Sequence, residues 1–343
     1  MSVKNELLKL LEMNRDTDLS GQAIAELLGV SRTAVWKAVK ALEDEGYRIE
    51  AVNNRGYRLE PVNDILSAEG ITPLLRPENQ DRDIFVYKSI DSTNQEVKRR
   101  DLEGARDGMV VLAEEQTAGK GRRGRQFLSP AETGIYMSVL FHPDRERAEN
   151  AVLVTTAASV AICRAIRVVL GEEPEIKWVN DVYLRGKKIC GILTEAISDF
   201  ESGRIGSVIV GIGINFREPK GGFPEEIREI AGAVLDDKNT AVTRNALVAA
   251  VLNELYELYD GLVKRTFMED YKRWSNVLGK EIRFTGKVNR EGKPVWEYGT
   301  AVDVDQDGGL IVKKENGKIQ TLRTGEITLR VMAEKERRHG GDL

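Results

Sequence analysis

Histidine and cysteine are scarce in this sequence, which limits the chemistry that it can support. Only two histidines, His142 and His339, and two cysteines, Cys163 and Cys190, occur in 343 residues. This scarcity argues against Ser-His-Asp or Cys-His catalysis and against a histidine-rich metal site. The cysteines form no CxxC pair, so we expect both to be free thiols in a reducing compartment. Any catalysis must depend mainly on Lys, Arg, Asp, backbone amides or an ion that arrives with a substrate.

Long apolar runs and targeting signals are also lacking. No apolar stretch reaches the roughly 18 residues that suggest a membrane span. The longest, around Ala151–Cys163, is interrupted by threonines and a serine, and we interpret it as a buried helix. The N-terminus lacks the apolar core and cleavage site of a signal peptide, so we expect a cytoplasmic protein with no membrane partner. Because the net charge is −4, nucleic-acid binding would require a local basic patch.

Residues 1–64 have the pattern of a winged helix-turn-helix domain. Apolar residues at helical spacing indicate three helices, and the second would bury Ile24, Leu27 and Leu28. Ser20 and Ser31 can cap the second and third helices, with Gly29 making the turn between them. Two short strands, at Tyr47–Ala51 and Gly56–Glu60, would then form the wing, joined through Asn53, Asn54 and Arg55.

The exposed face of the third helix and the wing are the predicted DNA contacts. The residues that we assign to DNA binding are Arg32, Thr33, Lys37 and Arg55. The first two lie at the N-terminal end of the helix, which reads base edges in this motif. Residues 1–62 carry nine Lys/Arg against ten Asp/Glu, so the prediction depends on where the charges lie. A helical protein-interaction domain with a solvated charged face is the alternative.

The rest of the chain divides into a connector at 65–82, a central domain at 83–275 and a small β barrel at 277–335. The irregular spacing of the central strands indicates an α+β fold within a multidomain protein. The predicted central elements are strands at Ile84–Ile90, Met109–Glu115, Ile135–Phe141, Lys188–Ile197 and Ile205–Asn215, and helices at about Arg145–Leu170 and Thr243–Trp274. In the barrel, Asp307-Gly308-Gly309 and Asn316-Gly317 are strong hairpin signals.

A loop rich in glycine and arginine is the strongest chemical signal. Between Gly119 and Arg125, three glycines alternate with four cations, and no acid occurs between Gln116 and Ala131. Glycines allow a backbone to approach a ligand closely, and guanidinium groups with exposed amides suit phosphate and carboxylate. The pattern is not that of a Walker A loop. A flexible basic surface loop or a nucleic-acid patch is the alternative.

Three further segments carry polar groups next to predicted strands. Asp91-Ser92-Thr93-Asn94 follows the first central strand and can cap a helix while facing a ligand. Lys177-Trp178-Val179-Asn180-Asp181 precedes Lys188, whose charge at the start of an apolar strand has no structural reason. Gly211-Ile212-Gly213-Ile214-Asn215 looks like a dinucleotide fingerprint, but Phe216 occupies the third glycine position, so we reject a Rossmann fold.

These segments together resemble one family. IDSTN, QTAGKGRRGR, KWVNDVYL, KKICGIL and VGIGIN occur in the order and rough spacing found in biotin–protein ligases. GVSRTAVWKAVKALEDEGY and NNRGYRL resemble the group that also represses biotin-synthesis operons, and GEITLR resembles the C-terminal barrel. The resemblance implies a winged helix, a central catalytic domain related to class II aminoacyl-tRNA synthetases, and an SH3-like barrel.

The resemblance also implies an activity. Such a protein would convert biotin and ATP, with Mg²⁺, to biotinyl-5′-AMP and transfer biotin to a lysine of a biotin carboxyl carrier protein. It would also bind operator DNA as a homodimer and repress biotin genes in response to biotinyl-AMP. Two alternatives remain, a biotin-sensing repressor without ligase activity and a lipoate-type ligase.

Carried onto this sequence, the resemblance implies the following site. The residues matching biotin contacts are Ser92, Thr93, Asn94, Gln116, Lys120, Gly121, Arg122 and Lys188. Those assigned to ATP or the adenylate are Arg123, Phe127, Asn180, Asp181, Asn215 and Arg330. Lys188 and Arg122 are the implied catalytic residues. No metal ligand is assigned firmly, although Mg²⁺ would enter with ATP and lie near Asp181.

The sequence departs from the family pattern at two positions. Val179 stands where the family usually has proline, and Lys120 stands where it usually has arginine. Lysine keeps the positive charge but loses the planar fork of a guanidinium group. We expect changed kinetics or affinity rather than lost activity.

Overall fold

The computed structural model describes residues 2–15, 17–52, 55–60, 63–198, 203–236, 242–288, 294–323 and 330–331. In chain order its longer elements are α1 (Val3–Met13), α2 (Gly21–Leu28), α3 (Arg32–Asp44), β1 (Ile49–Val52), β2 (Gly56–Leu59), α4 (Ala68–Ile71), β3 (Ile84–Tyr87), α5 (Thr93–Leu102), β4 (Val110–Ala113), β5 (Gly134–Phe141), α6 (Arg145–Glu149), α7 (Val154–Leu170), β6 (Glu175–Lys177), β7 (Asp181–Leu184), β8 (Lys187–Ser198), β9 (Ile205–Asn215), α8 (Glu225–Arg228), α9 (Arg244–Asp260), α10 (Met268–Trp274), β10 (Glu281–Val288), β11 (Pro294–Val304), β12 (Leu310–Lys314), β13 (Ile319–Leu322) and β14 (Arg330–Val331).

The N-terminal unit has the predicted helix-turn-helix and wing. The Oγ atoms of Ser20 and Ser31 accept from the backbone N–H three residues on, at 3.0 and 3.2 Å, and cap α2 and α3. Gly29 has left-handed dihedrals at the turn. Leu19 forms an isolated antiparallel bridge with Tyr57 of β2, so a third segment pairs with the β1–β2 hairpin of the wing. Asn53 and Asn54, predicted in the wing turn, lie outside the described residues.

The prediction that Leu27 faces the core was wrong. Its side chain is 68% exposed, whereas Ile24 and Ala25 are buried and Leu28 packs against the same cluster. Successive residues of a helix are separated by about 100°, so Leu27 falls outside the face that the other three share. The remaining helix faces agree with the prediction, since Val35 and Val39 of α3 are buried.

A seven-stranded mixed sheet forms the central domain. Its order is β3-β4-β5-β9-β8-β7-β6, and only the β3–β4 pair is parallel among the described strands. Helices α7 and α9 pack on each other and on one face of the sheet, where the largest apolar cluster lies. This arrangement confirms an α+β domain and excludes a repeated βαβ unit. The long strands β8 and β9 place the residues of the candidate site.

The two long predicted helices are each broken. The first consists of α6, a 3-10 turn at Ala151–Leu153, and α7. The second consists of α9, a 3-10 turn at Leu262–Lys264, and α10. Arg265 has a positive φ of 56°, which a continuous right-handed helix cannot contain. Periodicity alone therefore overestimated the helix lengths, because each break occupies only a few residues.

One helical stretch, Ala151–Leu170, is long and apolar enough to cross a membrane. However, 67% of its most apolar window is buried inside the protein, as the sequence led us to expect of a core helix. Cys163 lies on this helix, and Cys190 lies on β8. Both are buried free thiols, and burial raises the pKa of each well above its ordinary value, which keeps them protonated.

The C-terminal domain is a five-stranded antiparallel sheet of order β13-β12-β11-β10-β14. Both predicted hairpins are confirmed, since Gly308 lies between β11 and β12 and Gly317 between β12 and β13. Among the described residues the sheet does not close, because no pairing joins β13 to β14.

A buried arginine joins the end of the winged-helix domain to the central domain. Arg244, at the start of α9, is 3% exposed. Its backbone N–H donates to Asp64 Oδ1 at 2.6 Å, and its Nη1 lies 2.5 Å from Glu114 Oε2. The last residue of the winged-helix domain is therefore held by the core of the central domain.

Candidate active site

A cavity of about 360 Å³ opens between the glycine-rich loop, the start of α5 and strands β7, β8 and β9. Most of the predicted ligand-binding residues line it. These are Ser92, Thr93, Asn94, Gln116, Lys120, Gly121, Arg122, Phe127, Asn180, Asp181 and Lys188. Segments separated by up to about a hundred residues thus meet at one place. From the sequence, only the resemblance to a family indicated that they would lie together.

Three predicted residues are not placed in this cavity. Asn215 ends β9, and its Nδ2 donates to the carbonyl of Gly232 at 3.0 Å. The backbone of Arg123 lies in the 3-10 turn Arg122–Gly124, and its side chain lies outside the described atoms. The same holds for the side chain of Arg330, whose backbone belongs to β14. Their predicted contacts with ATP stay predictions.

Part of the cavity lining consists of neutral hydrogen-bonding groups. The backbone N–H of Thr93 donates to Gln116 Oε1 at 2.9 Å, and the Thr93 hydroxyl lies 3.1 Å from the same oxygen. Gln116 Nε2 donates to Ser129 Oγ at 2.9 Å, which fixes the orientation of the amide. Ser92 is the N-cap residue of α5, but its side chain makes no capping bond, so the hydroxyl can serve a ligand.

Other residues of the lining carry positive charge. Lys188 Nζ lies 2.7 Å from Asp181 Oδ1 across the β7–β8 pair, so its charge has both a structural partner and access to the cavity. Arg122 Nη1 donates to Asn180 Oδ1 at 2.9 Å, and Asn180 Nδ2 donates to the carbonyl of Ile192. Lys120 is exposed and also lines the cavity. A ligand with both a neutral polar group and an anionic group would match this lining.

The loop between Gly119 and Phe127 folds back over the cavity as a short hairpin. The N–H of Gly121 donates to the carbonyl of Arg125 at 2.7 Å, and the N–H of Phe127 donates to the carbonyl of Gly119 at 2.9 Å. A Cβ on Gly119 would lie 2.5 Å from the Phe127 carbonyl oxygen and 2.7 Å from Ser129 Oγ. Glycine is therefore required there, because the loop crosses closely over the residues that hold Gln116.

A glycine pair forms the floor beneath Phe127. Gly191 and Gly213 are direct partners across β8 and β9, and the ring of Phe127 lies over both. A Cβ on Gly213 would lie 2.5 Å from two ring atoms. The glycine repeat in Gly211–Asn215 therefore clears space for side chains rather than binding a dinucleotide. The sequence shows the glycines, but the contact across two strands cannot be seen there.

We expect Gly213→Ala to lower kcat/KM on the order of 10-fold for the biotin ligation that the resemblance implies. The new methyl group would push the Phe127 ring into the cavity. Gly206→Ala is the matched control, since it lies on the same strand and its Cβ would meet nothing closer than 3.9 Å. Steady-state kinetics with thermal unfolding of both variants checks this. Equal activity of the two variants would contradict the role of the glycine floor.

Trp178 and Tyr183 were not predicted as site residues, although both line the cavity. The indole N–H of Trp178 donates to the carbonyl of Gly308 at 2.8 Å, so the β11–β12 hairpin of the C-terminal domain touches the cavity wall. The peptide bond between Trp178 and Val179 is cis. Burial raises the pKa of Tyr183 to about 12, with a further contribution from the neighbouring Asp181 carboxylate, which leaves a neutral hydroxyl at the cavity.

Comparison with known proteins assigns all three domains. A family model described as "Biotin/lipoate A/B protein ligase family" matches residues 86–215. Models described as "HTH domain" and "Biotin protein ligase C terminal domain" match residues 3–58 and 277–330. The bifunctional ligase/repressor BirA of Bacillus spizizenii is 32% identical over 96% of this chain and 99% of its own. The chain belongs to the family of bifunctional biotin ligases and repressors.

More distant members agree with this assignment. BirA of Escherichia coli is 28% identical over 91% of this chain and 92% of its own. The biotin protein ligase from Aquifex aeolicus, solved in complex with biotin and ATP, is 27% identical. It superimposes with a TM-score of 0.61 and covers 73% of this chain and 99% of its own.

The winged helix of this ligase-repressor presents its predicted DNA contacts to solvent. Arg32, Thr33 and Lys37 are exposed along one face of α3, and Trp36 between them is 53% exposed. Arg55 is exposed in the wing, where its Nη2 lies 2.7 Å from Asp18 Oδ2. This ion pair orients the side chain but leaves it accessible.

Proposed function

We propose that the protein activates biotin with ATP and transfers it to a lysine of a biotin carboxyl carrier protein, and that it represses biotin genes. The observation that carries the ligase function is one cavity lined both by neutral hydrogen-bonding groups and by the cations Lys188, Arg122 and Lys120. The ring urea of biotin has N–H donors and a carbonyl acceptor, which suit the neutral groups. Its carboxylate and the phosphates of ATP suit the cations.

The first step joins the two substrates. An oxygen of the biotin carboxylate attacks the α-phosphorus of ATP, and pyrophosphate leaves, which gives biotinyl-5′-AMP. Negative charge develops on phosphoryl oxygens, so fixed cations stabilise the transition state without a side-chain nucleophile. Lys188 and Arg122 would supply these cations, and their contacts with Asp181 and Asn180 at the cavity support this.

The second step transfers biotin to the carrier protein. The ε-amine of the carrier lysine attacks the acyl carbon of the mixed anhydride, an amide forms, AMP leaves and the amine gives up a proton. The hairpin of the glycine-rich loop would keep water from the adenylate until then. Among described residues no cluster of metal-binding side chains exists. The single carboxylate of Asp181 suits Mg²⁺ brought by ATP, which would offset phosphate charge when bound.

We propose a second activity as an operator-binding homodimer that responds to biotinyl-AMP. Beyond Gly191, β8 no longer has β7 as a partner, and among described strands nothing pairs with that edge as far as Ser198. A second copy could pair there. The adenylate would draw the loop cations around its phosphate and favour the dimer, which sets two winged helices at a fixed spacing. Unchanged operator affinity on adding the adenylate would contradict this coupling.

Finer points of the architecture belong to the same proposal. We assign the C-terminal sheet as an SH3-like barrel and the central domain as related to class II aminoacyl-tRNA synthetases. We set the domain limits at 1–64, 65–82, 83–275 and 277–335. We place the protein in the cytoplasm.

Biotin-dependent exchange of pyrophosphate into ATP tests the ligase function. We expect exchange to require biotin, and label to appear on the carrier protein when it is added. Exchange with lipoate instead of biotin would indicate a lipoate-type ligase. Operator binding without any exchange would indicate a biotin-sensing repressor that does not ligate.

A further inference from the structure

A fully buried serine lies behind Thr93 and Asn94, two neutral residues of the cavity lining. Ser138, in the middle of β5, is 0% exposed. Its Oγ lies 2.5 Å from Asn94 Oδ1 and 2.7 Å from Thr93 Oγ1. Ser138 does not line the cavity itself, so it would reach a ligand only through these two neighbours.

The amide of Asn94 is held from a second side by an acid. Asn94 Nδ2 donates to Glu195 Oε2 at 2.7 Å, and Lys98 Nζ lies 2.7 Å from the other carboxylate oxygen. Burial alone would raise the pKa of Glu195, but the hydrogen bonds from Lys98 and Asn94 lower it below its ordinary value. The carboxylate is thus ionised at neutral pH and can only accept hydrogen bonds, which forces the amide nitrogen to face it.

The ionised Glu195 carboxylate fixes the direction of the hydrogen bonds that run from Asn94 through Ser138 to Thr93. With the Asn94 nitrogen facing Glu195, its oxygen faces Ser138 and can only accept, so the single Ser138 hydrogen goes to it. The Thr93 hydroxyl lies 2.7 Å from Ser138 Oγ and donates to it, since Ser138 has no second hydrogen. Thr93 thus spends its hydrogen inside the protein and is left as an acceptor toward the cavity.

The surroundings allow Asn94 little freedom to turn. A Cβ on Gly211 would lie 2.3 Å from Asn94 Oδ1, so β9 approaches the amide closely. The start of α5 is thereby fixed against β5, β8 and β9 at once.

We propose that Ser138 and Glu195 are positioning residues for biotin, which fix Thr93 and Asn94 so that the cavity presents an acceptor to a ring N–H of biotin. This rests on the proposed ligase function. Neither residue would touch the substrate. Without them the two side chains could reorient, so biotin binding would weaken while ATP binding stayed the same.

The test measures KM for biotin and for ATP separately, by biotin-dependent pyrophosphate exchange on the full chain. Ser138→Ala and Glu195→Ala should each raise KM for biotin about 10-fold with little change in KM for ATP. Glu195→Gln keeps one acceptor, which the Lys98 ammonium group needs, and turns an N–H donor toward Asn94, so it should raise KM for biotin much as Glu195→Ala does. Ser207→Ala is the control, since Ser207 is a buried serine of the same sheet away from the cavity.

Two results would overturn the proposal. One is a lower unfolding temperature for Ser138→Ala with an unchanged KM for biotin, which would show a structural role only. The other is a normal KM for biotin in both Glu195→Gln and Glu195→Ala. Should Ser138→Ala fail to fold, the two Glu195 variants decide. Absence of biotin-dependent exchange in the unaltered protein would refute the ligase function instead, so the two failures are distinguishable.

Discussion

Replacing Lys188 with alanine is expected to slow ligation by roughly 10²–10³-fold. The Lys188 ammonium group lies at the cavity beside Asp181, already oriented before the phosphates arrive. The substitution removes a cation from the place where negative charge develops. It also leaves the Asp181 carboxylate without this partner, next to the phosphates, which adds repulsion. Initial rates of carrier-protein biotinylation at saturating biotin and ATP measure the effect.

The adjacent lysine provides a matched control for this variant. Lys187 Nζ donates to the carbonyls of Glu229 and Arg228, at 2.7 and 3.2 Å, and Lys187 does not line the cavity. Lys187→Ala removes the same charge one residue away and should ligate at close to the normal rate. Wild-type ligation by Lys188→Ala would show that the residue has no catalytic role. Equal decreases in both variants would indicate general damage to β8.

Features determined by neighbouring residues could be predicted from the sequence. The serine caps of α2 and α3 and the two C-terminal hairpins depend on a few consecutive residues, and the structure contains all four. Helix ends were less predictable. The interruptions around Asn150 and Gly261 lie close together in the fold, where Arg265 Nη2 donates to Asn150 Oδ1 at 2.7 Å, a contact between distant segments.

The candidate site was predictable only in part, because its supporting contacts join distant segments. Short polar and basic motifs indicated Thr93, Gln116 and Lys188. Nothing in the sequence marks Ser138 or Glu195, since a serine and a glutamate in strands are ordinary residues until the sheet places them beside Asn94. The contact of Trp178 with Gly308 is equally hidden, as it joins two domains.

Deletion of residues 1–63 is expected to abolish specific operator binding and leave ligation largely intact. Specific binding commonly exceeds non-specific binding by about 10³–10⁷-fold, and all the predicted base contacts lie in the deleted part. The cut keeps Asp64, which holds the buried Arg244, and every residue that lines the candidate active site lies beyond it. Titration of a selected operator duplex, with biotinylation rates measured in parallel, gives both readouts.

A point variant separates base reading from simple removal of the domain. Arg32 and Thr33 lie exposed in the first turn of α3, so replacing both with alanine should weaken specific binding by about 1–3 kcal/mol for each base that is no longer read. Lys9→Ala on α1 removes a charge away from that face, and should weaken binding to all sequences slightly and equally. Biotinyl-AMP should tighten operator binding by about 5–150-fold in the unaltered protein. If the truncated protein still bound the operator specifically, the winged helix would not be the DNA-binding element.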